Sequence, residues 1–570
     1  MLRIAALSLK GDPDRGRAFT GLVHMQLRRD KLKASRIELK NIRDRLWRVR
    51  ARILTADYHL RKGRTKTARR VLAESIKLVP TKGRQRGADD TYLDIATRQA
   101  AMGDYNAALA TARRISIPLE RLDAYLLIAD GAAVSRDKKV VAAADKMFSD
   151  AFALAKKLKG GLQETAEVLL RIAYAQIDAK QDKNALITLR HLRPLIIDSP
   201  PFEGWADRVA DMAGAFVLAG DNNTAMGIVR SVGDIRHRTK AMSEVASAIG
   251  TKGNIDAAVP LFSLAFQETK RIGNDQHKFE AIQHMVHRQA KLGRHADAFK
   301  MAGHVRDRRM QALTMLAMGK AMMEIDDHKN AELVTNYIPY IGMRSQIFTA
   351  LANVKGIAGK NMEASALLAK GLADTPNAAA QKINPESLER ALMQSIDIQS
   401  RVGAPEAMVS LFDRVRQLSK QLPTIKPRVS VLSKMAVTLA NNGKKQMAQD
   451  DLDVAWRLAW RDTQHPHFAE MLSNITDAQL AAGFVLQAFD TAARIPEEPT
   501  GLTDNRAAFI DASSPPESPR NRALRKVAMA AGTVGRPKLS IRAVRAITDE
   551  TALAYAVSRI ATAIAEAKQR

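Results

Sequence analysis

Four histidines are the first residues whose type and spacing could do chemistry: His277, His284, His287 and His295 fall within a short stretch, with His284 and His287 three residues apart. On a helix that spacing puts both rings on one face, as two ligands of a metal ion require. The chain has no cysteine, and no carboxylate completes an obvious ligand set, so the sequence predicts no metal site. A polar contact to a partner is the alternative use of the pair. A phosphate-binding loop needs a glycine-rich turn ending in Gly-Lys-Ser/Thr, so that backbone N–H groups and a lysine converge on phosphate oxygens. The nearest string, Gly532 to Ser540, has the wrong spacing, and Pro537 removes a donor. Neither a Gly-x-Ser-x-Gly elbow nor a His-Glu-x-x-His helix occurs. A protein without catalysis or cofactor is the expectation.

Charge is the stronger signal. The net charge is +29, and residues 1–90 carry 25 Lys and Arg against 9 Asp and Glu, more than half of the excess in the first sixth of the chain. Its densest part is Arg61, Lys62, Arg64, Lys66, Arg69 and Arg70, on either side of Gly63. Such an end attracts an acidic protein, nucleic acid or an anionic lipid surface. Only Trp47 and Tyr58 stand near enough to stack on bases, so any nucleic-acid contact there is electrostatic and independent of base sequence.

A helical repeat must position these residues. Hydrophobic residues make up 46% of the chain but aromatics only 5%, a supply of Ala, Leu, Ile, Val and Met that favours helices over sheets. Gly63, Gly103, Gly220, Gly253, Gly293, Gly359, Gly443 and Gly483 are each followed five residues later by alanine, from Ala68 to Ala488. Seven residues before the glycine stands Ala56, Ala96, Ala213, Ala246, Ala352 or Ala436, with Val286 and Thr476 as exceptions. Glycine ending one helix, and small side chains where two antiparallel helices approach, are what a tight hairpin demands. The frame recurs without glycine around Lys180, Asp326 and, less cleanly, Arg136, a turn near Asp30 opens the array, and Gly403 with Ala407 and Gly535 with Ala528 read as drifted copies. The fold expected is all-α, an α-solenoid of about 12–14 antiparallel helical hairpins. Arginine stands seven residues before the large apolar residue of many first helices, at Arg121, Arg238, Arg309, Arg344, Arg428 and Arg520. This arginine is expected to pack its stem on a neighbouring helix and meet a carboxylate; a ladder of ligand contacts is the other reading.

Gly103-Asp104-Tyr105-Asn106-Ala107-Ala108-Leu109 resembles the turn and second-helix opening of the tetratricopeptide repeat, and Gly220-Asp221-Asn222 with Ala225 is similar. The first helix departs from that family in carrying alanine where a small glycine is usual, and in lacking most of its Trp and Tyr. The resemblance implies a scaffold or adaptor whose concave groove holds a protein segment. It maps the groove-lining first-helix positions to Arg171, Tyr174, Glu244, Ser247, His284, His287, Asn353, Lys434, Asn474 and Asp477. An RNA- or other polyanion-binding helical repeat is the alternative. The lytic transglycosylases, in which a helical superhelix carries a separate catalytic domain, are a third class, and lysis of peptidoglycan is not expected.

The domain reading is a basic set of hairpins over 1–90, a regular solenoid over 91–495, a Pro/Ser-rich loop over 496–519 and terminal hairpins over 520–570. Pro200-Pro201 and Pro423 to Pro427 are further expected interruptions, and Pro80 to Asp90, with Lys82, Arg84 and Arg86, separates the basic end from the body. Arg3 and Gly11-Asp12-Pro13 argue against a signal peptide, and no apolar run is long enough to span a membrane. The cytoplasm is the expected compartment, although a cysteine-free chain suits the periplasm equally.

Overall fold

The computed structural model describes residues 12–28, 30–80, 85–133, 138–158, 161–373, 384–402, 404–497 and 517–548, with Ala556 and Arg559. Among these residues the regular structure is helical and no strand occurs. The chain falls into two compact units that meet in sequence between Leu292 and Gly293. The first unit holds α1 (Asp12–Arg28), α2 (Leu32–Lys40), α3 (Arg45–Arg61), α4 (Thr65–Ile76), α5 (Gln85–Ala101), α6 (Tyr105–Ala112), α7 (Pro118–Ala133) and α8 (Lys138–Ala155). It continues with α9 (Leu162–Asp178), α10 (Asp182–Ile197), α11 (Trp205–Leu218), α12 (Asn222–Ser231), α13 (Ile235–Thr251), α14 (Ile255–Thr269) and α15 (Asp275–Lys291). The second unit holds α16 (His295–Ala302), α17 (Arg308–Glu324), α18 (His328–Val334), α19 (Ile341–Ile357), α20 (Asn361–Leu372), α21 (Pro385–Val402) and α22 (Pro405–Ser419). It ends with α23 (Ile425–Asn441), α24 (Lys445–Ala459), α25 (Phe468–Ala481), α26 (Val485–Ala493), α27 (Pro519–Thr533) and α28 (Pro537–Arg545).

Within each unit odd and even helices pair as hairpins, and odd helices also pack on the next odd one: α9 on α11, α11 on α13 and α13 on α15 in the first unit, α17 through α27 in the second. Each unit is therefore an array of stacked helical hairpins, the fold that the resemblance implies. No helix among the described residues is long and apolar enough to cross a membrane.

The turn explains the glycines. Gly63, Gly103, Gly220, Gly253, Gly293, Gly359, Gly443 and Gly483 all have φ between 70° and 96°. At Gly103 the glycine N–H donates to Ala100 O at 2.8 Å and the Asp104 N–H to Gln99 O at 2.9 Å, the paired bonds that close a helix C-terminus. A Cβ on Gly103 would meet nothing within 4 Å, so backbone conformation and not space selects the residue. Asp30, Lys180 and Asp326 make the same turn at φ of 59°, 61° and 59°, bearing the strain of a side chain there.

Helix approach explains the alanines. All eight alanines after the turn and all eight small residues before it are buried. In the α17–α18 hairpin the position before the turn is Gly319, where a Cβ would lie 2.3 Å from Ile347 Cδ1 and 3.9 Å from Ala331 O. The close contact is thus with the next first helix, while the second helix of the hairpin lies at ordinary van der Waals distance.

Some details differ from expectation. The copies at Gly403 and Gly535 have not drifted: Ile396 and Met408 flank the first, Ala528 and Ser540 the second, all buried in the common frame, while Ala407 is only half-buried. Bulkier residues occupy the frame there, which hid it. Pro427 lies in the first turn of α23, where its missing N–H has no helical partner to lose, and the array continues across it and across Pro200-Pro201. Gly403 itself, the turn expected at Arg136, Lys82, Arg84, most of the Pro/Ser-rich loop and nearly all residues after Thr548 lie outside the described residues. The repeated arginines act mainly as caps. Arg121 Nε donates to Ile115 O at 2.6 Å and Arg238 Nη1 to Val232 O at 3.2 Å, each six residues back, and Arg48 Nε does the same to Ile42 O at 2.8 Å. Arg344 donates to Ala373 O, Arg238 also meets Glu268 at 2.7 Å and Arg520 meets Glu497 at 2.9 Å, while Arg309 is exposed and Arg428 half-buried.

Two outcomes are expected. Lys180→Gly relieves a left-handed side chain and should stabilise the protein by about 0.5–1 kcal/mol in urea denaturation, whereas Gly103→Ala should cost about 1–2 kcal/mol. Asp221 and Asp234 cap α12 and α13, accepting from Thr224 N at 3.0 Å and Arg236 N at 2.8 Å. The Thr224 N–H at the first and the Arg236 guanidinium at the second hold these carboxyls below the ordinary range. A depressed folded-state pKa gives stability that is present above the unfolded value of about 3.9 and lost as pH falls through the folded value. Melting temperature should therefore drop between pH 5 and pH 2, and less in Asp234→Asn.

Candidate functional site

The first-helix positions nine and six residues before a turn are polar in many hairpins, although Leu54, Gly214, Ala317, Ala350 and Val437 occupy them elsewhere. In the first unit the polar ones build a charged network across α9, α11, α13 and α15. Tyr174 donates its hydroxyl to Asp211 O at 2.9 Å. The buried Glu244 carboxylate takes Arg288 Nε at 2.8 Å and lies 2.9 Å from His284 Nε2. Arg171 is exposed and pairs with Asp123 at 2.8 Å; Ser247 is buried and His287 half-buried. Burial pushes the Asp211 carboxyl up, and Glu244 adds to it; burial likewise raises the Tyr174 phenol. Burial would raise Glu244 too, but His284 and Arg288 outweigh it and hold that carboxyl below its ordinary value. Sequence reasoning found Tyr174, Glu244 and His284 but missed Asp211 and Arg288, the first in a frame position not selected and the second one residue off the frame.

In the second unit the same positions line two hollows. Asn353 borders one of about 400 Å³ together with Lys320, Gln346, Gln394 and Arg401. Lys434, Asn474 and Asp477 border another of about 360 Å³, and Ser433 shares that wall. Lys434 pairs with Asp397 at 2.5 Å and Asp477 with Lys526 at 2.6 Å. Ser433 is 4% exposed and its Oγ is buried with no hydrogen-bond partner.

The histidines separate in their roles. His277 sits 3.2 Å from Arg236 Nη1, His284 serves Glu244, and His295, in the second unit, lies 3.4 Å from Asp327 and 3.3 Å from Asn330 Nδ2. Among the described residues no group of three or more His, Asp or Glu is arranged to hold a metal ion.

At the basic end all six residues of the Gly63 turn are exposed. Lys62 pairs with Asp30 at 2.9 Å, and Arg69 donates to Met102 O at 2.8 Å. Arg61, Arg64, Lys66 and Arg70 have no acidic partner among the described residues.

No protein-family model matches the chain, and no curated protein matches it. Among solved structures it is similar to Naa15/Naa10 bound to HypK-THB, at 15% identity over 91% of this chain and 79% of that one with a TM-score of 0.25. It is also similar to the APC/C hetero-tetramer Cut9-Hcn1, at 12% identity over 92% and 96% with a TM-score of 0.20. The third is Ypp1, at 9% identity over 96% and 86% with a TM-score of 0.24. Likeness at this level carries no partner or activity across.

Arg288→Met strips the buried Glu244 of its main counter-charge and should destabilise the protein by about 2–3 kcal/mol in urea denaturation. Adding Glu244→Met should restore much of that loss, the sign of a coupled pair in a double-mutant cycle.

Proposed function

We propose that the protein is a non-catalytic interaction scaffold whose first-helix groove holds a segment of a protein partner, with the basic end as a second, electrostatic contact. One observation carries the groove reading. Lys434, Asn474 and Asp477, selected as groove positions, border one hollow, whose wall also contains Ser430 and Ser433. The amides and hydroxyls lining both hollows suit a peptide backbone, whose donors and acceptors alternate along the chain. An array of hairpins presents such positions in a row, as recognition of an extended segment needs.

The groove is tested with peptides selected from a random display library on the intact protein. Asn353→Ala with Asn474→Ala should weaken the selected peptides at least tenfold, about 1.4 kcal/mol, in calorimetric titration. Substitution of the exposed second-helix residue Lys329 should leave affinity unchanged. Peptides that bind equally well to the double variant, or no selectable peptide at all, would remove the groove from the proposal. Incubation with peptidoglycan should give no lysis.

A further inference from the structure

We propose that the outer side of the α3–α4 turn, with the adjoining face of α2, binds the phosphate backbone of double-stranded nucleic acid without reading base sequence. This rests on the basic-end contact of the proposed function and is independent of the groove.

Five cations converge there. Arg61 and Arg64 flank the turn, Lys66 and Arg70 stand one helical turn apart on α4, and Arg36 comes from α2; all are exposed. None has an acidic partner among the described residues, whereas several first-helix cations are paired: Arg171 with Asp123, Lys240 with Asp207, Arg288 with Glu244 and Lys434 with Asp397. The N-terminus of α4 opens on the same side. Arg64 occupies its capping position with no side-chain acceptor, and no acidic residue stands in its first turn. Its free N–H groups and the positive end of the helix dipole add to the five side chains.

Beneath this surface His59 is 4% exposed, and its Nδ1 is buried with no hydrogen-bond partner. Burial first, then Arg64, Arg36 and Arg70, hold its ring below the ordinary imidazole value. Arg36 of α2 thus acts on the same ring as Arg64 and Arg70. No described carboxylate compensates this cluster, and an anion at the surface supplies the missing charge.

The surroundings choose among anions. A membrane surface would want large apolar side chains beside the cations, and Ile37 is the sole exposed one among the described residues before Leu127. An acidic protein would want an apolar or aromatic anchor at the centre of its interface, and the centre here is guanidinium. Single strands are held by stacking on aromatic faces; Tyr58 is buried against His59, and Trp47 is covered by Arg50 at 4.8 Å from its ring centre. A duplex, whose phosphates line its outside and whose bases need not be touched, requires none of these.

The test titrates the full chain into fluorescein-labelled 25-base-pair DNA and RNA duplexes of two unrelated sequences, by anisotropy at several salt concentrations. Five phosphate contacts predict a slope of log K against log salt of roughly −4 to −5, the same for both sequences. The variant Arg61→Gln/Arg64→Gln/Lys66→Gln/Arg70→Gln should lose at least tenfold in affinity and flatten the slope to about −1. A control removing the same charge elsewhere, Arg306→Gln/Arg308→Gln/Arg309→Gln/Lys329→Gln, should change affinity less than threefold. Groove variants should bind duplex normally, which separates failure of the groove from failure of this site. Absence of binding by the wild-type chain at 50 mM salt, an equal loss in the control, or tighter binding to phosphatidylserine vesicles than to duplex would each overturn the proposal.

Discussion

The constraint on which the rest depends is the closeness of two antiparallel helices joined by a left-handed turn. With a turn residue at φ near 60–96°, the chain reverses in a few residues and the last carbonyls of the first helix are satisfied by the backbone N–H groups of the turn. The second helix then lies against the first at a fixed offset. At most hairpins that offset leaves room for the methyl group of alanine, and at Gly319 the Ile347 side chain of the next hairpin fills the space. Once these positions are set, every other residue of the hairpin has its face assigned, since a helix has no freedom to rotate without driving a larger side chain into the contact.

Polar groups caught inside the array are satisfied by the same offset. Thr111 donates to Gln99 Oε1 at 2.7 Å and Thr188 to Gln176 Oε1 at 2.8 Å, the glutamine four residues before the turn and the threonine eight after it. His59 occupies the glutamine position of its own hairpin, opposite Val71, which can donate nothing. The arginine caps extend the principle between hairpins, since each guanidinium closes carbonyls at the end of the preceding segment. Larger buried charges are paired where the second helices of successive hairpins meet, as with Asp451 of α24, which takes Arg416 of α22 at 2.7 and 2.9 Å.

How much of this was legible in the sequence follows from the range of each interaction. The frame of glycine with small residues at fixed distances is local, and it located the turns and the burial of hairpins far apart in the chain. Asp30, Lys180 and Asp326 were recognisable only through their neighbours, because the conformation is set by the turn and the residue merely tolerates it. The Thr–Gln pairs are equally local and equally periodic, and a search at those two positions would have found them. Contacts between hairpins were not legible. Glu244 meets His284 and Arg288 across some forty residues, and which of several nearby carboxylates takes which cation depends on the offset of one hairpin on the next. That offset is set by packing at residues such as Gly319 and Ile347, not by the spacing of the charges.

The same distinction gives the charge of the protein its meaning. An excess of +29 spread evenly would be a property of solubility, screened by salt within about 8–10 Å. Along the first unit it is not spread evenly. From α9 to α15 cations and carboxylates alternate on facing helices and cancel: Arg208 with Glu167, Lys240 with Asp207, Arg288 with Glu244. Around the α3–α4 turn the carboxylates needed for cancellation are missing, and the backbone of α4 adds a positive end where an acidic cap would ordinarily sit. Since a surface pair contributes little to stability, loss of those carboxylates costs the fold almost nothing. What it does create is a field of one sign extending about one screening length from the surface.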